Sequence, residues 1–301
     1  MSPYLGSFAR TARATASPRA VTATLVFLLA LASVGPARAH QFWLSPSDYA
    51  PRRGEPVRVG AASGVGFRGE ARPWSAERSV RFSWNAPRPF PLASSTTEGE
   101  AVWAERAFDD SAGVWVQYQS TFASIELPAA EFDAYLEEEG LLGPLDARRK
   151  LPAPVPGRER YRRCCKAWLS GHDERRALQP VGQALELVPL SIPGASVDLR
   201  VRVLLRGRPL RGALVQSWRQ PLAEEGRPRG LADRDSAVVV QALRSDARGE
   251  IMVQLREPGE WLLSVVHMEP CADRAAADWE STWASLTFAR REGEEKPRAK
   301  R

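Results

Sequence analysis

Residues 197–203 read VDLRVRV, and this stretch decides the fold class. Its valines and its leucine alternate with charged residues, which is the period of a β-strand with one face in a core and the other in solvent. The turn sequence RGRP at 206–209 follows, as expected where such a strand ends.

The same alternation continues toward the C-terminus. It predicts further strands at residues 213–215, 238–243, 251–255, 261–268 and 281–288. The turn sequence SDARG at 245–249 separates two of them and predicts a hairpin. About six short strands in this span are typical of a small β-sandwich, which we place at residues 191–289. The polar stretch 224–235 between two strands is predicted to be a mobile loop.

The N-terminal half combines strands with a helical insertion. Strands are predicted at residues 41–46, 57–59, 79–84 and 114–120. A helix is predicted between Pro128 and Gly140, where apolar residues recur at helical spacing. A second helix is predicted near residues 158–169, from the apolar stripe formed by Tyr161, Cys164, Cys165, Trp168 and Leu169.

The predicted fold class is therefore mainly β, with two β-sandwich domains. The first domain spans residues 40–190 and carries the helical insertion at about 128–170, and the second spans residues 191–289. The boundary between them is placed near residues 180–193.

Residues 1–39 have the layout of a secretory signal peptide. An uncharged apolar run at 20–34 follows arginines without any acid, and Ala37-Arg38-Ala39 supplies a cleavage site of the A-x-A type. Cleavage would leave 38 basic and 36 acidic residues, a balance unlike the basic stripe of a nucleic-acid-binding protein. We expect a periplasmic or secreted protein without stable membrane insertion and with a disordered basic tail at 290–301. The alternative is a leader that stays uncleaved as an anchor.

Cleavage after Ala39 would make His40 the first residue of the mature chain. An N-terminal histidine can chelate a metal through its α-amine and its imidazole, and a third nitrogen would complete a site suited to Cu(II) or Ni(II). We select His267 as the third ligand, and Asp278 and Glu280 as carboxylates that either bind the metal or orient an imidazole. The alternatives are an incidental terminus at His40, a core histidine at 267, and acids that serve as surface charges or arginine partners.

The other histidine and the three cysteines carry weaker signals. His172 follows a predicted helix and reads as a C-terminal cap. Cys164, Cys165 and Cys271 lack the paired C-x-x-C spacing of a zinc site. They are either buried free thiols or, in an oxidising compartment, include one disulfide to Cys271.

Several segments resemble an exported bacterial family of unknown function that is grouped with NikM-type nickel-uptake proteins. They are Ala39–Pro46, Glu126–Pro128, Glu138–Leu141, Arg158–Tyr161, Leu185–Pro189, Val266–Met268 and Asp278–Phe288. The resemblance implies a periplasmic protein associated with transition-metal uptake and a transporter component as partner. Residues 161–166 read YRRCCK and depart from the family pattern. Residues 196–288 are similar to transthyretin-like and carboxypeptidase-regulatory sandwiches, modules that present or bind.

Two functions follow from these features. The first is a periplasmic accessory protein that binds nickel, cobalt or copper at His40 and His267. The second is a metal-independent binding or scaffold module that recognises a protein, peptide or glycan in the envelope. The chain contains no G-x-S-x-G, H-E-x-x-H or phosphate-loop motif, so the sequence predicts no enzyme.

Overall fold

The computed structural model describes residues 41–85, 90–109, 112–234 and 239–291. These residues form a mainly β protein, which confirms the predicted fold class. The predicted signal peptide, His40 and the tail beyond Arg291 lie outside the described residues. No helix in the described part is long and apolar enough to cross a membrane.

The described elements follow the chain in this order. The strands are β1 (Gln41–Pro46), β2 (Pro56–Val65), β3 (Arg68–Arg72), β4 (Ser79–Asn85), β5 (Phe90–Pro91), β6 (Val102–Ala107), β7 (Val114–Ser120), β8 (Ala123–Leu127), β9 (Gly157–Leu169), β10 (Leu185–Pro189), β11 (Asp198–Leu205), β12 (Arg208–Pro209), β13 (Leu214–Gln220), β14 (Gln241–Arg244), β15 (Glu250–Gln254), β16 (Gly259–Pro270) and β17 (Trp279–Arg290). The α-helices are α1 (Ala129–Glu138) and α2 (Leu142–Arg149). Short 3-10 turns lie at Leu92–Ser95, Arg175–Leu178, Glu224–Gly226 and Leu231–Asp233.

These strands form three sheets. The central sheet has nine strands in the order β14-β13-β16-β17-β9-β7-β4-β5, with β8 also paired to β9. A four-stranded N-terminal sheet contains β1, β2, β3 and β6, and a four-stranded C-terminal sheet contains β10, β11, β12 and β15.

The two smaller sheets pack on opposite faces of the central sheet. In β7 and β9, Trp115 and Cys164 point into a core shared with the C-terminal sheet. Their neighbours Val116 and Cys165 point into a core shared with the N-terminal sheet. This is the alternation expected along a strand, so the central sheet serves both sandwiches.

Strand β9 joins the two halves of the chain. It pairs in parallel with β17, from Trp279 opposite Glu159 to Thr287 opposite Ala167. The strands of the two predicted domains therefore form one continuous sheet across the boundary near residue 190.

The predicted helix at 158–169 is wrong, because these residues form β9. The chain has apolar residues on both faces here because both faces of this central strand are covered. Cys164 and Trp168 face one core, and Cys165, Ala167 and Leu169 face the other. A doubly buried strand loses its alternation and cannot be distinguished from a buried helix by periodicity alone. The helical insertion ends with α2 and does not extend to residue 170.

The predicted hairpin after residue 238 is also wrong. Strand β14 pairs with β13 in the central sheet, whereas β15 pairs with β11 in the C-terminal sheet. The turn sequence at 245–249 carries the chain from one sheet to the other. Ser245 Oγ accepts a hydrogen bond from the Ala213 amide, and Asp246 Oδ1 accepts one from the Arg248 amide. Val238 lies outside the described residues.

The predicted helix after Pro128 is confirmed as α1. Its buried residues Phe132, Tyr135 and Leu136 pack on the central-sheet face that also carries the N-terminal sheet. Gly157 is required below it, because a Cβ at that position would lie 2.1 Å from the Phe132 ring.

Residues 224–234 are fixed at their end by a buried ion pair. The Arg234 guanidinium lies 2.8 Å from Glu260, and both side chains are fully buried. Tyr49 donates a hydrogen bond of 2.7 Å to Glu260, which connects this segment to the N-terminal region. Arg234 therefore anchors the end of the segment that the sequence predicts to be a mobile loop.

The three cysteines are free and buried. Burial raises the pKa of Cys165 to about 12, so its thiol stays neutral. They pack as small apolar groups, one of the two alternatives that the sequence leaves open.

A second buried ion pair lies between the central and C-terminal sheets. Lys166 Nζ is 2.7 Å from Glu186 Oε1, and each side chain is 1% exposed. The amides of Val181, Gly182 and Gln183 also donate to the Glu186 carboxylate. Burial lowers the pKa of Lys166 while Glu186 opposes that shift.

Replacing Lys166 with methionine is expected to destabilise the protein by roughly 3–5 kcal/mol, because the Glu186 carboxylate would remain buried without its cation. The free energy of unfolding from urea titration measures this loss. The matched control is Arg200→Met, where we expect less than about 1 kcal/mol, because Arg200 is half-exposed and its partner Glu250 keeps Arg202 as a second cation. Equal losses in the two variants would contradict the prediction.

Candidate functional site

The predicted ligand His267 lies near the end of β16, opposite Thr282 of β17. Its Nε2 is 3.9 Å from a carboxylate oxygen of Glu269, and its side chain is 29% exposed. Burial lowers the pKa of His267, which favours the neutral imidazole.

The two predicted carboxylate ligands are held by arginines of β9. Asp278 lies 2.9 Å from Arg158, and hydrogen bonding to that guanidinium lowers the pKa of Asp278. Glu280 accepts a hydrogen bond of 2.8 Å from Arg160 Nε. Both contacts match the alternative in which these acids serve as arginine partners.

The described residues around His267 do not assemble a metal site. No group of three or more histidine, cysteine, aspartate or glutamate side chains in the described ranges could hold a metal ion. His267 shares a sheet face with Val265, which belongs to the core under the C-terminal sheet. Strand β1, which begins one residue after His40, packs on the other face, where its Leu44 carbonyl accepts a hydrogen bond from Thr287. His40 itself lies outside the described residues.

His172 is exposed in the segment after β9. The helix that it was predicted to cap is a strand, so the capping interpretation is wrong.

A cavity of about 500 Å³ opens where the N-terminal sheet meets the central sheet. We call it the arginine cavity. Its lining combines three arginines, four aromatic rings, four small hydroxyl residues, one proline and one alanine. They are Arg72, Arg78, Arg163, Phe42, Trp103, Tyr118, Tyr161, Ser63, Ser75, Ser120, Thr121, Pro73 and Ala123. No acidic side chain belongs to this lining.

Two of the arginines are positioned by aromatic donors. Trp103 Nε1 donates a hydrogen bond of 2.7 Å to the Arg72 carbonyl, and the Tyr118 hydroxyl donates one of 3.0 Å to the Arg78 carbonyl. Burial raises the pKa of Tyr118, which keeps the phenol neutral and able to donate. The two rings also pack together, with centroids 4.9 Å apart. Trp103 and Tyr118, which form the floor of the cavity, therefore fix the backbone from which the side chains of Arg72 and Arg78 extend.

The third arginine, Arg163, comes from β9 and is partly buried. Its guanidinium lies 4.5 Å from the Trp283 ring centroid and 5.0 Å from that of Tyr161. Its Nη1 is buried and has no hydrogen-bond partner among the described residues. The aromatic rings hold the charge in place without neutralising it.

The positive charge of Arg163 acts on the pKa of two buried acids, Glu139 and Glu159. Glu159 accepts hydrogen bonds from Tyr135 and Ser281. Burial raises the pKa of Glu159 and raises that of Glu139 to about 8, while the Arg163 charge opposes both shifts. Glu139 is therefore largely protonated at neutral pH and compensates little of the arginine charge. Glu159, which Arg163, Tyr135 and Ser281 stabilise as a carboxylate, is the acid that offsets part of it.

A larger cavity of about 730 Å³ lies beneath residues 227–231. Its lining mixes Asp48, Glu55 and Glu105 with Arg58, Arg227 and Arg229. Because both signs of charge are present, it offers no comparable preference for one class of ligand.

Sequence reasoning missed the arginine cavity. Arg72 ends β3, Arg78 lies in the turn before β4 and Arg163 lies on β9, and the three form no sequence motif. The one available signal was YRRCCK at 161–166, which the sequence shows only as a departure from a family pattern. Arg163 reaches the cavity from the central sheet and Arg72 from the N-terminal sheet, and no local pattern predicts that they line one space.

A family model described as "Domain of unknown function (DUF4198)" matches residues 37–269. No curated protein matches the chain.

The raised pKa of Glu139 predicts a pH-dependent stability. Between its ordinary value of 4.5 and about 8, the folded protein holds a proton on Glu139 that the unfolded chain has released. Stability therefore falls as pH rises through this window. Glu139→Gln, which keeps the neutral form, is expected to exceed the wild type by less than about 1 kcal/mol at pH 5 and by about 4 kcal/mol at pH 8.

Urea unfolding at both pH values measures this difference. Glu137→Gln is the matched control, because Glu137 is an exposed acid on the same turn whose charge is not among the causes of the raised pKa of Glu139. An advantage of Glu139→Gln that does not change between pH 5 and pH 8 would refute the assignment.

Proposed function

We propose that this chain, which belongs to the family described as domain of unknown function (DUF4198), is an exported binding module that works without a metal. Its ligand carries an acidic group beside an apolar or planar group. The observation that carries the proposal is the lining of the arginine cavity: three arginines and four aromatic rings, with no acid.

The charge of the cavity selects an anion. A guanidinium presents several N–H donors in a plane and binds carboxylate or phosphate with charge-assisted hydrogen bonds. Arg72 and Arg78 have exposed side chains at the rim, whereas Arg163 lies deeper. Three guanidinium groups around one space repel each other, and an anionic ligand relieves that repulsion.

Arg163 lines the deeper part of the cavity. An acceptor oxygen that reaches the part of its guanidinium facing the cavity would gain a charge-assisted hydrogen bond. Because Trp283 and Tyr161 already fix the guanidinium, little side-chain entropy is lost on binding.

The rest of the lining selects what the anion is attached to. A volume of about 500 Å³ lies within the range of small-ligand sites. Phe42, Trp103 and Tyr118 form a packed aromatic cluster, with 5.8 Å between the centroids of Phe42 and Tyr118. Such a floor favours an apolar or aromatic side chain over a bare inorganic ion.

The export part of the proposal rests on the sequence. Residues 1–39 have signal-peptide layout, so we place the module in the periplasm or outside the cell. Binding is preferred to catalysis because no nucleophile motif is present in the sequence. The likeness of residues 196–288 to transthyretin-like modules, which present or bind, points the same way.

The transition-metal interpretation stays a prediction from the sequence and the family resemblance. It requires His40, which lies outside the described residues, and a transporter component as partner. His267 faces the C-terminal sheet, and Asp278 and Glu280 are engaged by arginines. The geometry of the described residues therefore supports the metal-independent module better.

The test titrates the protein, cleaved after Ala39, with N-acetyl-L-phenylalanine and with its neutral amide. We expect the acid to bind at least tenfold more tightly, because charge-assisted hydrogen bonds contribute about 1.5–3 kcal/mol. Arg72→Gln should weaken binding of the acid by a similar factor. Isothermal titration calorimetry measures these affinities, and Arg211→Gln, at an exposed arginine outside the cavity lining, is the charge-matched control.

Prior treatment with EDTA should leave this binding unchanged. Loss of binding after EDTA, with recovery on adding Ni(II) or Cu(II), would contradict the metal-independent function and favour the His40 site. In that case a version with one extra residue before His40 should bind the metal more weakly, because the chelating amine is moved.

A further inference from the structure

We infer that the acidic group is the C-terminal carboxylate of an extended peptide, which adds to β8 as a further strand and ends in the arginine cavity. This inference rests on the proposed function and names its ligand class.

Strand β8 offers an open edge. Its residues Ala123 to Leu127 pair with Tyr161 to Gly157 of β9, and β8 has no other strand partner within the described residues. Ser124, Ile125 and Glu126 are exposed along it. An open edge presents a row of backbone N–H and C=O groups that an extended peptide can use.

The edge is open because β4 pairs only with β7 and does not extend to β8. Strands β7 and β8 both pair with the same side of β9, and Gln119 and Ala123 lie opposite Cys164 and Tyr161. The two strands thus follow one line, with one extra residue between them. Strand β4 flanks only the β7 part and starts at Ser79, opposite Ser120.

A peptide in the vacant position would continue the line of β4. Strand β4 runs antiparallel to β7, so a peptide antiparallel to β8 runs in the same direction as β4. Its C-terminus would meet the residue before β4, which is Arg78. Arg78 already occupies this junction, because its carbonyl accepts a hydrogen bond of 2.9 Å from the Thr121 amide.

The arginine cavity lies at the same end of β8. Ala123, the first residue of the strand, and Thr121, two residues before it, are both part of the lining. A carboxylate at the end of the peptide would therefore enter the space between Arg72, Arg78 and Arg163. The side chain of the last residue would reach the aromatic floor. Main-chain pairing, a carboxylate contact and one apolar pocket are three features of known strand-addition sites for peptides.

The charges agree with this direction. Positive side chains surround the Ala123 end of the edge, whereas Glu126 lies exposed near the other end. A peptide with its carboxylate at the Ala123 end places its negative group against the arginines. The reverse direction would lose that contact.

The experiment uses the acetylated hexapeptide Thr-Val-Thr-Val-Thr-Phe with a free carboxylate as the probe. We expect it to bind at least tenfold more tightly than N-acetyl-L-phenylalanine, because the strand adds main-chain hydrogen bonds. The C-terminal amide of the peptide should bind at least tenfold more weakly than the acid. Arg78→Gln should remove most of that difference, and Arg211→Gln should not.

Two N-methylated peptides test the strand geometry. One carries N-methyl groups on residues 2 and 4, and the other on residues 3 and 5. In an added strand alternate amides face β8, so one peptide should lose binding and the other keep it. Equal effects of the two methylation patterns would overturn strand addition.

The affinities of these ligands separate the peptide inference from the proposed function. If N-acetyl-L-phenylalanine binds and the hexapeptide binds no more tightly, the ligand is a small acid and the peptide inference is wrong. If an amidated peptide with an internal glutamate binds as well as the free acid, the carboxyl terminus is not the group recognised. If no acid binds at all, the proposed function itself is wrong.

Discussion

The parallel pairing of β9 with β17 is the interaction on which the rest of the structure depends. It joins residues 120 positions apart, such as Arg160 and Glu280, through backbone bonds and ion pairs. Both smaller sheets and the α1 helix pack on faces that this pair helps to form. A parallel pair in the middle of a sheet is covered on both faces, which accounts for the apolar residues on both sides of β9.

The candidate site is a product of the same pairing. Arg163 of β9 lies opposite Trp283 of β17, and the Trp283 ring supports its guanidinium. On its other side β9 pairs with β7, which brings Tyr118 and Ser120 into the cavity. The N-terminal sheet, which packs on the same face, contributes Phe42, Arg72 and Trp103 to the lining. No single segment of the chain holds enough of the cavity to bind anything alone.

The sequence predicts a strand wherever polar residues mark one of its faces. Residues 197–203 alternate because one face meets a core and the other carries charged residues. Residues 114–120 are buried on both faces over Val114–Tyr118, yet Gln117 and Gln119 keep the alternation visible in the sequence. Residues 158–169 look helical because the central position makes both faces apolar. The chemistry follows the same division. Asp278 and Glu280 stand out beside a histidine, yet arginines of β9 satisfy both. Arg163 carries no local signal, since its surroundings come from non-local pairing.

The shared central sheet also constrains the order in which the chain can fold. Strand β9 needs β17 on one side, and β17 ends only at Arg290. During synthesis, the N-terminal half would expose one edge and one face of β9 until the last strand arrives. Closing such distant pairs is slow, and exposed edges invite aggregation in the meantime. The central sheet can therefore close only after β17 is available. A chaperone that covers β9 until then would protect its exposed edge from aggregation.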